Sequence, residues 1–200
     1  MDNSTVKILI GVPTADYIEP ECLKSIFNLV RPKDVSLEFQ FVLGDFIDES
    51  RNILADKAIR GGYDYIFYVD SDIILPNIAL LYLYSHKVPI VSGLYRAKKE
   101  PQKIQVADNN INTLSDDILR QARMVEIGGG GFGCMLVRVD VLKRIGYPQF
   151  VYRQAIIFEE GFSEDNYFCC KARVLGYRIW ADTQVQCVHI GHPLFKLAEN

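Results

Sequence analysis

The chain lacks a charge imbalance. Among its 200 residues, 22 lysines and arginines face 25 aspartates and glutamates, a formal net charge of −3, which leaves no basic footprint for nucleic acid or an anionic membrane surface. No apolar run reaches membrane-spanning length, and no charged segment followed by an apolar one opens the sequence, so neither a span nor a secretory leader is expected. Cysteine is sparse and odd in number: Cys22, Cys134, Cys169, Cys170 and Cys187 show no CxxC spacing. That argues against a zinc site or a disulfide framework and for buried thiols in a reducing, cytoplasmic setting. Internal repeats, low-complexity tracts and linkers are also missing. What remains is 49% hydrophobic and 24% charged, the make-up of a globular enzyme able to bury one sizeable core.

One stretch organises the rest. Residues 61–76 begin with Gly61-Gly62, continue through the aromatic and β-branched run Tyr65-Ile66-Phe67-Tyr68-Val69, and end in Asp70-Ser71-Asp72 shortly before Pro76. The run predicts a buried central strand. Two carboxylates at i and i+2 past such a strand are expected to point the same way, and they are costly there without a positive charge beside them. A divalent cation would answer that cost, and hard oxygen ligands suit Mg²⁺ or Mn²⁺ with positions left open for water and phosphate. The plainer alternative is a capping aspartate and a solvated neighbour.

Residues 6–12 read as a first strand and 35–43 as a second, ending at Gly44-Asp45. Helices are expected at about residues 20–29, with Pro20 in the first turn, and from Asp48, as its cap, to Gly61. The first half is thus β-α-β-α-β, the pattern of a doubly wound α/β sheet with ligands at the carboxyl ends of its strands. Pro76 is expected to open a helix to Ser85, and residues 88–91 form a short strand. Polar residues 97–124 read as a long functional loop with a short helix at 115–122. Beyond the glycines Gly128 to Gly131, strands are expected at 132–139, 177–181 and 185–189. Between them come a short helix capped by Asp140 and another opened by Ser163-Glu164-Asp165.

Several side chains carry more than one reading. Arg51 opposes the dipole of its helix, which suits a residue kept to grip an anion, or it makes a surface ion pair with Asp48 or Asp56. Four glycines in a row imply a ligand wall, or a bulge or hairpin. Glu164 and Asp165 are explained by the helix dipole alone, and they are also placed to include a catalytic base. His189, after an apolar strand, is an imidazole ligand or a core or surface histidine, with His192 as its substitute; His86, at a helix end, is expected to be solvated.

Taken together, Arg51-Asn52 ahead of a strand ending Val69-Asp70-Ser71-Asp72, the glycine-rich strand entry, Ser163-Glu164-Asp165 heading a helix, Gly176-Tyr177 and a late histidine resemble the nucleotide-sugar glycosyltransferases of the GT-A fold, family-2-like. The resemblance spans residues 6–189. It implies a single domain over residues 1–200 with a Rossmann-like, mixed but mostly parallel sheet flanked by helices. The nucleotide side would take residues up to about 96 and the acceptor and catalytic side the remainder. It further implies Asp72 as direct metal ligand, Asp70 on ribose or metal beside Ser71, and His189 completing the metal sphere. Pro13, Thr14 and Asp45 would hold base and ribose, and Arg51 would approach base or diphosphate. Gly130, Gly131 and Phe132 would lie against donor sugar and acceptor, and Asp165, with Glu164 as its rival, would be the base. The implied reaction moves a hexose from a nucleoside diphosphate sugar, UDP-hexose by preference, to a hydroxyl of a glycan or other acceptor with Mn²⁺ or Mg²⁺. A catalytically silent sugar-nucleotide-binding domain is the alternative, and a phosphatase-type hydrolase has its acidic motifs in the wrong order. The family's Gln-x-x-Arg-Trp run is missing, which argues for single additions over processive synthesis.

Overall fold

A computed structural model describes residues 5–44, 46–98, 102–110, 112–152 and 163–191. In chain order the elements are β1 (Val6–Thr14), α1 (Pro20–Phe27), β2 (Val35–Leu43), α2 (Ile47–Arg60), β3 (Tyr65–Val69), β4 (Ile73–Ile74), α3 (Ala79–Ser85), β5 (Ile90–Leu94) and β6 (Val106–Ala107). They continue with α4 (Asp116–Gln121), β7 (Met124–Ile127), β8 (Gly129–Gly130), β9 (Cys134–Arg138), α5 (Val139–Ile145), α6 (Glu164–Val174), β10 (Ile179–Gln186) and β11 (Val188–His189). Seven strands form the central sheet in the order β2-β1-β3-β9-β5-β10-β7. β2, β1, β3, β5 and β10 run one way, and β9 and β7 run against them. The α/β sheet expected from the β-α-β-α-β start is therefore present, in the mixed, mainly parallel form that the resemblance implies.

Side-chain parity sorts the core into two layers. On β1, Leu9 joins one cluster with Leu54, Ala55 and Ala58 of α2, while Ile8, Ile10 and Val12 join the other with Cys22 and Ile26 of α1. On β3, Ile66 and Tyr68 face the α2 layer and Phe67 and Val69 the α1 layer. Burial on both faces is why these strands read as unbroken apolar runs. Beneath the α2 layer, Phe132, Phe150 and Phe168 pack on one another with ring centroids 4.9 to 5.1 Å apart, and Tyr68 meets Phe132 edge-on at 5.3 Å. Such aromatic contacts add to the burial term.

Local details depart from the sequence expectations. α2 starts at Ile47 after Phe46, so Asp48 lies inside its first turn. The Asp48 carboxylate instead accepts from the Tyr152 amide at 3.0 Å, a contact between distant segments. α3 begins at Ala79 rather than at Pro76, and α1 stops at Phe27. Asp140 likewise sits in the first turn of α5 after Arg138, with which it pairs. The two late strands are one, β10, whose pairing with β5 shifts register between Ala181 and Gln186, followed by the two-residue β11. His86 is not solvated: its ring is 15% exposed and its Nε2 lies 2.7 Å from Asp182, itself fully buried and also held by Arg123. Buried carboxylates need such partners.

The glycine run follows from close approach of the chain to itself. A Cβ on Gly128 would stand 2.0 Å from the Asp108 carbonyl oxygen, and one on Gly131 would stand 2.0 Å from the Tyr95 hydroxyl. Gly129 and Gly130 pair with Ala107 and Val106. Gly128→Ala must push a backbone segment aside, so a loss of about 1–3 kcal/mol in unfolding free energy is expected by urea denaturation. A loss below measurement error would show that the 108–109 segment yields freely.

Candidate active site

The carboxyl ends of β1 and β3, the start of α6 and the β11 segment meet at a cleft of about 340 Å³. It is lined by Pro13, Thr14, Ala15, Ile47, Arg51, Asp70, Ser71, Asp72, Tyr95, Gln105, Glu164, Asp165 and His189. Asp70 continues the parity of Ile66 and Tyr68, which carries it toward the α2 layer. There it meets Arg51, whose Nη2 donates to Asp70 Oδ1 at 2.9 Å. Arg51 Nη1 donates to Glu164 Oε1 at 2.5 Å and to Asp165 Oδ1. The two acidic residues are delivered by the N-terminus of α6, where Ser163 caps the helix by accepting from the Asn166 amide at 3.3 Å.

This ion cluster is unevenly charged. Arg51 is 2% exposed. Burial works against its charge, but the carboxylates of Asp165, Asp70 and Glu164 more than offset this and raise its pKa. Three carboxylates share that one guanidinium, and burial pushes the Asp165 carboxyl up to about 7; Arg51 lowers it while Glu164 and Asp70 raise it. The Asp165 side chain is still 21% exposed, so an incoming group can reach it. Neighbouring Asn52 ties α2 to the 149–150 segment: its Oδ1 accepts from the Gln149 and Phe150 amides at 2.9 and 3.0 Å, and its Nδ2 donates to the Phe150 carbonyl at 2.8 Å.

Asp72 has different company. β11 pairs with β4 so that His189 stands opposite Ile73, and its Nε2 lies 3.3 Å from Asp72 Oδ1. Its Nδ1 is 3.0 Å from the Arg96 carbonyl oxygen, which can only accept. Nδ1 therefore carries a proton, and Nε2 is the ring atom turned toward the carboxylate. Two lone pairs facing at that separation repel unless a proton or a metal lies between them. The backbone anchor on the other ring nitrogen is how metal-binding histidines are oriented. Tyr95 supports the ring edge-on at 5.5 Å while its hydroxyl accepts from the Gly133 amide at 3.1 Å. The second oxygen of Asp72, Oδ2, receives the Lys98 ammonium. Burial opposes ionisation of Asp72, and the hydrogen bonds with His189 and Lys98 overcome it, holding the carboxyl below its ordinary value.

Asp70 and Asp72 thus have separate cationic partners. Among the described residues, no three His, Cys, Asp or Glu side chains converge as a ready-made metal set. Asp72 with His189 is a two-ligand pair suited to Mn²⁺ or Mg²⁺, ions that take much of their coordination from water and substrate phosphate. Pro13, Thr14 and Ser71 line the cleft, with the Thr14 hydroxyl donating to the Tyr17 carbonyl at 2.5 Å. Gly130 and Gly131 stand behind Tyr95 and Gln105 and are not among the lining residues. Asp45 and His192 lie outside the described residues. Lys98, Tyr95 and Gln105 carry no signal in the sequence, because each reaches the site by long-range chain reversal.

No protein-family model and no curated protein matches the chain in sequence. Solved structures do match in shape. A197 from STIV superposes with a TM-score of 0.69 at 17% identity, covering 94% of this chain and 87% of that one. GalNAc-T7, a GT-A glycosyltransferase solved with UDP, GalNAc and Mn²⁺, superposes with a TM-score of 0.66 at 10% identity, covering 100% of this chain. The chain corresponds to 46% of the GalNAc-T7 chain. At these identities the likeness is one of architecture: the chain has a GT-A-like α/β fold.

Proposed function

We propose that the chain is a metal-assisted glycosyltransferase, moving a hexose from a nucleoside diphosphate sugar to a hydroxyl of a glycan or other acceptor. UDP is the preferred nucleotide by analogy with GalNAc-T7, whose structure contains UDP and Mn²⁺. The observation that carries the reading is the convergence, in one cleft, of Asp72 with His189 and of Asp70, Glu164 and Asp165 around Arg51. A binding-only domain has no need of the two further carboxylates that Glu164 and Asp165 bring beside Asp70.

In this reading Pro13, Thr14 and Asp45 hold base and ribose, with Asp70 and Ser71 along the ribose, while Gly130 and Gly131 act on the sugar and acceptor side only as backing for Tyr95 and Gln105. Asp72 and His189 hold Mn²⁺ or Mg²⁺, which when bound neutralises charge gathering on the departing diphosphate. Asp165 accepts the proton of the acceptor hydroxyl at Oδ2, the oxygen not held by Arg51. A carboxylate titrating near neutrality is well matched to that task. Arg51 keeps Asp165, Glu164 and Asp70 in fixed relation, so the base and the donor site share one rigid anchor.

Calorimetric titration with UDP, with and without Mn²⁺, tests the donor side. Asp72→Ala is expected to abolish the gain in UDP affinity that Mn²⁺ brings to the wild type, leaving metal-free affinity within about twofold. An undiminished metal-dependent gain in the variant would remove Asp72 from the ligand set.

A further inference from the structure

We propose that Lys98 is a tethered counter-cation for Asp72 that a divalent ion must displace, so that this lysine sets the metal affinity of the site. The inference rests on the metal-assisted reading above and concerns a residue which that reading does not use. The Lys98 ammonium contacts Asp72 Oδ2 while His189 Nε2 lies 3.3 Å from Oδ1, so both oxygens of the carboxylate are engaged. A divalent ion bound between Asp72 and His189 would share a single carboxylate with an ammonium, and like charges at that separation repel. The ion enters readily only if Lys98 leaves.

Lys98 is placed to leave. Its side chain is 39% exposed, against 24% for Asp72. The backbone before it is held by the Arg96–Ile104 bridge and by the Ala97 amide donating to the Lys103 carbonyl at 2.9 Å, so the ammonium can swing on its own stem without disturbing the strands. The same contact meets a need of Asp72 itself. Asp70 already has Arg51, and Lys98 supplies Asp72 with the positive charge that a part-buried carboxylate requires. The site can therefore fold without a metal and exchange one cation for another when a donor arrives.

Calorimetric titration of the full chain with MnCl₂ alone tests this. Lys98→Met, which keeps the stem and removes the charge, is expected to bind Mn²⁺ about fivefold more tightly than the wild type, the factor matching a part-exposed ion pair. Lys98→Arg keeps a cation at the same reach and is expected to stay within about twofold of the wild type, separating charge from bulk. Equal or weaker Mn²⁺ binding by Lys98→Met, with the wild type binding normally, would overturn the role of Lys98 and leave the metal-assisted reading standing. Absence of Mn²⁺ binding in the wild type and both variants, with or without UDP, would overturn both.

Discussion

Arg51→Met is expected to lower the free energy of unfolding by about 3–5 kcal/mol, the cost of removing one partner from a buried ion pair. The guanidinium is 2% exposed and serves Asp70, Glu164 and Asp165 at once. Methionine retains much of the volume packed near the Phe132 ring, whose centroid lies 5.4 Å from the guanidinium carbon, so the charge is the main loss. Three carboxylates then face one another without a cation. Arg51 is what lowers the Asp165 carboxyl against its burial, so without the guanidinium the folded-state pKa of Asp165 lies further above the unfolded value of about 4. Between those limits the native state binds more protons than the unfolded one, and stability falls as pH rises. The deficit should accordingly be larger at about pH 8 than at about pH 5, measured by urea denaturation at both. A deficit under about 1 kcal/mol at the higher pH, or one independent of pH, would mean that packing rather than charge holds the cluster.

Asp165→Asn is expected to slow sugar transfer by about 10²–10⁴-fold, the usual worth of a positioned general base, with UDP affinity changed by less than about twofold. The pH profile supplies a readout that a merely structural role would not move. With burial pushing the Asp165 carboxyl up to about 7, only the ionised form accepts a proton, so the wild-type rate should rise as pH passes through about 7. The variant should lose that rise. Stability carries the opposite sign, because a carboxyl whose folded pKa is raised gives a contribution that is fully present below the unfolded value of about 4 and is lost as pH rises through about 7. Full turnover by Asp165→Asn together with loss in Glu164→Gln would hand the role to Glu164. Full turnover in both would leave neither carboxylate as the base.

Glu164 and Asp165 also show how far local reading extends. Their place at a helix N-terminus is legible because Ser163, a good cap, precedes them and apolar Phe168 and Ala172 follow at helical spacing. That both turn onto Arg51 is not legible, since 113 and 114 residues separate the partners. A plain surface pair with Asp48 or Asp56 is an equally good local reading of Arg51, and only the meeting of α2 with the end of β3, the start of α6 and the Phe132 ring encloses that side chain. His86 erred the other way: its helix end suggested solvent, and a buried aspartate 96 residues downstream claimed its ring.

By itself the sequence determined the period and order of the elements, and hence the α/β class. Apolar runs such as 65–69 can only be strands covered on both faces, and the carboxylates ending that run must lie at a sheet edge. Tertiary structure alone decided which charges meet there: Arg51 with three acids, Lys98 with Asp72, His189 beside them. The physical reason is range. Periodicity and capping act over a few residues, whereas partners of buried charges are chosen by the crossing of distant segments, which no local pattern encodes.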